Sequence, residues 1–175
     1  MAATEIEILR LSPAEARSQV DALAAVLRDA VDRGASIGFM APFSLDDARE
    51  AFAAMVAEVE AGRRLVVAAF DGERLVGTVQ VILAVPANQP HRGEVTKLLV
   101  HGSARKRGIA QRLMEAAELE ARAEGKSLLV LDAVTGGDAA RLYDRLGWTT
   151  VGVIPDYALY PDGRPCDTTV FYKPL

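Results

Sequence analysis

Between Glu94 and Val134 the chain sets a strand, a helix and a nearly continuous apolar strand in immediate succession. No other feature limits the fold as strongly. The first strand, Glu94–Val100, runs into Gly102-Ser103, and a helix follows from roughly Lys106 to Glu124, with Gly125 as its stop. The run SLLVLDAV comes next. An apolar strand of that kind is usually buried on both faces in a parallel sheet. Two parallel strands need a crossover of about a dozen residues or more, and a helix supplies it. The segment is therefore a βαβ unit.

The flanks read as follows. Thr4–Leu11 alternates charged and apolar residues at strand period, and Ser12-Pro13 is an N-cap followed by proline at the first helical position. Val20, Leu23, Ala24, Leu27 and Val31 recur at helical spacing up to Gly34. A loop at 34–43 follows, then Ser44 and Asp47 as a capping box for a helix to about Gly62. LVVAAF and LVGTVQVILAV around Asp71-Gly72 form a hairpin. A short helix, Asp138–Leu146, ends at Gly147. Strands near Thr149–Ile154 and Thr168–Tyr172 flank a turn-rich segment, 155–165. The expectation is an α/β fold with a central mixed, mostly antiparallel sheet and flanking helices, in a single domain, 1–175.

Composition removes several functions. Half of the 175 residues are apolar, enough to bury a core without disulfides or metal. A net charge of −4 argues against nucleic acid or an anionic membrane as partner. Two histidines and one cysteine, Cys166, do not make a zinc site, and a lone cysteine fits a reducing compartment. MAATEIEIL lacks the basic start and apolar core of a signal peptide, and no apolar run spans a bilayer. A cytoplasmic location is expected.

The richest stretch chemically is the entry to the crossover helix, Arg105-Lys106-Arg107-Gly108-Ile109-Ala110. Unpaired N–H groups and the helix dipole make such an end a natural anion site. Three cations there oppose the dipole, so they are unfavourable until an anion neutralises them. Gly108 and Ala110 let a phosphate come close to the backbone.

This stretch resembles the acetyl-CoA signature of the GCN5-related N-acetyltransferase (GNAT) family: Arg or Gln, two residues, Gly, one residue, then Gly or Ala. The order of elements is similar too, including AARLYDRLGW at 139–148. The resemblance implies a GNAT fold with pantetheine between splayed strands Glu94–Val100 and Leu128–Ala133, and diphosphate on the amides of Arg107–Ala110. It implies contacts to acetyl-CoA, with no metal, from Leu99, Val100 and Asp138 as well as from the 105–110 loop. GASIGFMA, RGEVTKLLV, LLVLDAVTGG, IPDYALYPDGRP and FYK resemble the tabtoxin-resistance-type members more closely. That implies transfer to the amine of an amino-acid- or dipeptide-like toxin or antibiotic. Asp138 departs from the asparagine many members carry there.

Amine acetylation needs a base for the ammonium proton, a donor for the carbonyl oxygen and a proton source for the thiolate. Glu94 and Asp132, on adjacent strands, are the candidate bases. A backbone N–H near Leu99 is the candidate donor, and the Tyr143 phenol the candidate acid. Ser36, Phe39, Met40 and Tyr157, in the loops at 34–43 and 155–165, are candidate substrate contacts. A pocket closed by those loops favours a small-molecule amine. A long groove would favour a protein N-terminus or lysine, and a non-catalytic acyl-CoA-binding module would not need Glu94, Asp132 and Tyr143 together. Apolar residues at Val170–Tyr172 suggest a homodimer edge.

Overall fold

The computed structural model describes residues 5–175, so Thr4, the expected start of the first strand, lies outside the described residues. In chain order the elements are β1 (Ile6–Arg10), α1 (Pro13–Ser18), α2 (Val20–Asp32), α3 (Leu45–Glu60), β2 (Arg64–Asp71), β3 (Arg74–Ile82) and β4 (Arg92–Val100). They continue with α4 (Ile109–Ala123), β5 (Leu128–Val134), α5 (Asp138–Arg145), β6 (Thr149–Leu159) and β7 (Pro165–Pro174). The seven strands form one sheet in the order β1-β2-β3-β4-β5-β7-β6. The β4–β5 pair is parallel and every other neighbouring pair is antiparallel.

Local chemistry sets the helix starts. Ser12 and Ser44 each accept a hydrogen bond from the backbone of the residue three positions on, Glu15 and Asp47, whose carboxylates reach back to the cap N–H. The first helical stretch breaks at Gln19 into α1 and α2. The crossover helix starts at Ile109 rather than Lys106, because Lys106 (φ 62°) and Gly108 (φ 73°) hold left-handed backbone that a helix cannot continue. The last hairpin is longer than its turn residues suggest. A bulge between Ile154 and Ala158 absorbs Pro155, and the Asp156 N–H donates to the Asp167 carboxylate at 2.9 Å, so β6 runs on to Leu159.

Opposed residues in antiparallel strands share a face. Val67, Ala69, Val79, Val81, Leu129, Leu131 and Phe171 pack under α4 and α5. Val66, Ala68 and Leu99 pack on the other side, under α1–α3. Arg64, Ile82 and Glu94 form one row on that second face, by register. The expectation that β5 is buried on both faces fails here. Leu129 and Leu131 are buried against α4, whereas Asp132 stands exposed on the face of Glu94. The proposed dimer edge is also misplaced: β7 lies between β5 and β6 with Phe171 at 1% exposure, and β6 is the outer strand on that side.

Gly93 sits where β3, β4 and β5 meet. A Cβ there would stand 2.9 Å from Leu129 and 3.1 Å from Val81. Gly93→Val is therefore expected to overpack the junction and lower stability by about 1–3 kcal/mol. A thermal melt unchanged from that of the parent chain would show that the strands can part there freely.

Candidate active site

β4 and β5 pair over only three positions, Arg92, Gly93 and Glu94 with Leu128, Leu129 and Val130. Beyond them β5 stays paired to β7 as far as Val134, while β4 bends away along β3. The bend has a local cause. Between the Gln80–Thr96 and Thr78–Leu99 pairs β4 carries one extra residue, and Lys97 in this bulge has φ 53°. The result is a wedge open at the C-terminal ends of β4 and β5, with unpaired β4 backbone along one side.

One approach to the wedge is the loop from His101 to Gly108. Gly77 lets the first turn of α4 lie against β3, since a Cβ there would meet the Leu99 carbonyl at 3.0 Å and Leu113 at 3.1 Å. Gly108 caps α4 in left-handed backbone, and no protein atom lies within 4 Å of where its Cβ would be. The space in front of the helix N-terminus is thus free for a bulky ligand group. Arg107 is held by Asp71 at 2.5 Å, and Arg105 donates to the Val100 carbonyl at 3.2 Å. Among the described residues Arg105 and Lys106 make no ion pair. Asp29 ties the loop to α2 by accepting the Gly102 N–H at 2.8 Å, and that bond together with Arg33 and His101 outweighs its partial burial and holds its carboxyl below the usual range. Ile109 and Leu99 are core side chains, Val100 and Ala110 are partly buried, and only the backbone of Leu99 can face a ligand.

The acids lie on the α2–α3 face. Glu94 is partly exposed, 3.5 Å from Arg92. Asp132 keeps solvent contact, yet the surrounding sheet strips part of its hydration and raises its carboxyl, Glu94 adds to the rise, and Lys97 opposes it. Tyr143 comes from the opposite face. It is 5% exposed and packs on Trp148 and Phe171, with ring centroids 5.9 and 5.6 Å away. Burial, and next Asp132, push its hydroxyl above the ordinary phenol range. The wedge therefore brings a carboxylate pair and a buried phenol together from opposite sides of the sheet. Asp138 does not join them; it is exposed at the start of α5 and engaged by Arg141.

A roof covers the α2–α3 side. Ser36 donates to the Leu159 carbonyl at 2.7 Å, and the Ala41 N–H donates to the Pro161 carbonyl at 3.0 Å. Ser36 is thus occupied in holding the two loops together. Phe39 stacks on Phe43 at 4.6 Å and lies 5.4 Å from the Lys97 ammonium, which donates to the Ile37 carbonyl at 2.6 Å. Met40 and Tyr157 are 47% and 57% exposed at the rim. Next to Phe39 on this side is an open cavity of about 280 Å³, lined by Phe39, Phe52, Met55, Arg64, Gln80 and Lys97 among others. Lys97, Arg64 and Gln80 escaped the sequence reading. A lysine inside RGEVTKLLV was the available signal, because an apolar strand does not otherwise place an ammonium there.

Among the described residues no helix is long and apolar enough to cross a membrane. The family model described as the acetyltransferase (GNAT) family matches residues 24–148. Three solved structures share the fold. The yncA protein of Salmonella typhimurium, with its cofactor acetyl-CoA, superposes with a TM-score of 0.80 at 21% identity, covering 97% of this chain and 94% of that one. A ribosomal-protein-alanine N-acetyltransferase from Brucella melitensis gives 0.80 at 22% identity, covering 97% and 99%. An aminoglycoside 6'-acetyltransferase type Ii gives 0.69 at 23%, covering 96% of each. The match spans well over half of the 175 residues and coincides with the wedge and its flanking helices, and the chain belongs to the acetyltransferase (GNAT) family.

Proposed function

We propose that the protein moves acetyl from acetyl-CoA directly to the primary amine of a small amino-acid- or dipeptide-like molecule of the toxin or antibiotic kind. The observation that carries the acceptor class is the roof. Loop 34–43 is hydrogen-bonded to the β6–β7 turn through Ser36 and Ala41, and such a bridge across the acceptor side suits a small molecule better than an extended peptide. The donor fits the other side of the sheet. The open space at Gly108, the free N–H groups of α4 and the unpaired Arg105 and Lys106 suit a diphosphate. When bound, acetyl-CoA supplies the acyl group as a thioester that an unprotonated amine can attack.

The residues then divide the work. Asp132 takes the ammonium proton, directly or through water, and Glu94 beside it keeps it basic enough to do so. Backbone N–H groups of β4 past the bulge serve the carbonyl oxygen. Tyr143 stays protonated at any working pH because burial raises it. Full transfer from such a phenol to a thiolate with a pKa of about 8.5 is uphill, so its role is a hydrogen bond to the departing sulfur. Phe39, Met40 and Tyr157 shape the acceptor entrance.

Gly108→Glu should abolish measurable acetyl-CoA binding in calorimetry, whereas Gly108→Ala, which carries only the left-handed backbone cost of roughly 1–2 kcal/mol, should bind. Retained affinity in a folded Gly108→Glu protein would remove the diphosphate reading.

The pH profile separates the two acids. A base works deprotonated, so kcat/KM should rise with pH through the raised Asp132 carboxyl. Glu94→Gln removes the like charge that raises it and should move that rise to lower pH; Asp132→Asn should slow transfer at neutral pH and recover as free amine accumulates. If Glu94→Gln instead costs the activity and Asp132→Asn does not, the roles are reversed.

Tyr143→Phe keeps the ring between Trp148 and Phe171 and deletes one donor. Turnover should fall roughly 10²- to 10³-fold, the cost of one preorganised donor, with the melting temperature nearly unchanged. Parental turnover would leave Tyr143 a packing residue.

A further inference from the structure

The cavity next to Phe39 holds two cations, Arg64 and Lys97, that form no ion pair among the described residues. Arg64, at the start of β2, donates from Nη1 to the Gln80 side-chain oxygen at 2.6 Å. Its Nε is buried and has no hydrogen-bond partner. Lys97 reaches the same cavity because the β4 bulge turns it to that face, and its ammonium spends one donor on the Ile37 carbonyl. Glu58, also in the wall, is already forked by Arg63, with bonds of 3.0 and 2.7 Å. Glu94 and Asp132 lie close enough to attract the two cations, but neither forms an ion pair with them. Burial weakens the hold of both groups on their protons, and Arg64 repels Lys97. On the same face Thr78, two residues before Gln80 and fully buried, has an unpartnered hydroxyl.

Two part-buried cations and an orphaned guanidinium N–H are costly to keep, and an arriving oxyanion would relieve all three at once. We propose that Arg64, Gln80 and Lys97 form a carboxylate-binding subsite for the acceptor, so that the enzyme selects amines that carry an acid. This rests on the acetyltransferase reading above and names the substrate class within it. The spacing is right. Arg64, Ile82 and Glu94 lie in one row across three adjacent strands, so two strand spacings, about 10 Å, separate the Arg64 and Glu94 backbones, and the strand of Asp132 lies one spacing further. The long Arg64 and Lys97 side chains shorten that distance, and a dipeptide-like acceptor spans the remainder with its amine at Asp132 and its carboxylate at Arg64. The apolar walls, Phe39, Phe52 and Met55, would take the side chain between them.

The test uses product-like probes that need no turnover. N-acetyl-alanyl-alanine and N-acetyl-alanyl-alanyl-alanine are titrated against their C-terminal amides by ligand-observed NMR at millimolar concentration, with acetyl-CoA binding measured on the same samples. The acids should bind roughly 10- to 100-fold more tightly than the amides, as for a hydrogen bond to a charged group. Arg64→Met should erase that difference, and Arg64→Lys should keep part of it. Lys97→Met gives a second reading should Arg64→Met not fold. Equal binding of acid and amide, binding of neither, or a preference that survives both Met variants would overturn the subsite. Inorganic phosphate competing as well as the acids would show a general anion site and overturn the carboxylate selection. Loss of acetyl-CoA binding in the parent chain would instead sink the acetyltransferase reading.

Discussion

Everything functional in this fold follows from β4 and β5 parting company after Glu94 and Val130. A parallel pair normally continues along its length, since each further residue adds a ladder bond. Here two stronger commitments pull it apart. β5 is paired with β7 at seven consecutive positions from Leu128 to Val134, and β4 follows β3 through a bulge at Lys97. The unpaired backbone left between them would be a liability in an ordinary sheet, where edge groups without partners invite aggregation. In this protein it lies at the centre, flanked by helices, where only something that enters the wedge can pair with it.

That opening joins two environments of different electrostatic character. On the α4–α5 side, cations are collected at a helix start where they repel the dipole. On the α2–α3 side two carboxylates, Asp132 and Glu94, stand near two cations, Lys97 and Arg64. The chain as a whole is acidic, and most of its surface charges are paired with neighbours, such as Arg10 with Glu120 and Glu124, or Arg49 with Asp21 and Asp46. Of the charges that form no ion pair among the described residues, Arg105 and Lys106 lie at one mouth of the wedge and Arg64, Lys97 and Asp132 at the other. Surface pairs contribute little individually; the unpaired ones near the wedge are informative because nothing about stability accounts for them.

How much of this was legible in sequence depended on the range of the interaction. The βαβ unit, the two capping boxes and the Asp71-Gly72 turn are local, and each reads directly from adjacent residues. Asp132 was legible because an acid inside LLVLDAV is out of keeping with its neighbours. The insertion of β7 between β5 and β6 was not, because nothing near Thr168 states which strand it will meet. This single pairing misplaced the dimer edge, whereas β5 seemed buried on both faces because its run is apolar apart from Asp132. Ser36 looked like a substrate contact, as a serine in a glycine-bounded loop would. Its partner is a carbonyl at Leu159, more than a hundred residues away, and no spacing rule reaches that far. Arg64 drew no attention in the sequence, because nothing near it states that Arg63 will bind Glu58 while Arg64, the first residue of β2, enters the cavity.

With Asp132 as the base and Arg64 in the acceptor subsite, as proposed, Lys97, which feels the charge of both, would link acceptor recognition to catalysis. Its positive charge holds the Asp132 carboxyl down, against burial and Glu94, which hold it up. A carboxylate seated against Arg64 and Lys97 would cancel part of that positive field at Asp132. The carboxyl would then hold a proton more readily in the complex than in the free protein. A base that strengthens when its substrate arrives need not be strongly basic beforehand, and so spends less time protonated and idle at neutral pH. The same reasoning explains why a lysine is suited to the bulge. A neutral side chain would leave Asp132 protonated over a wider pH range, and an acid would make a third carboxylate in one cleft. On that proposal the extra residue in β4 would do two things through one distortion: open the wedge for the donor and turn toward the acceptor the charge that tunes the base.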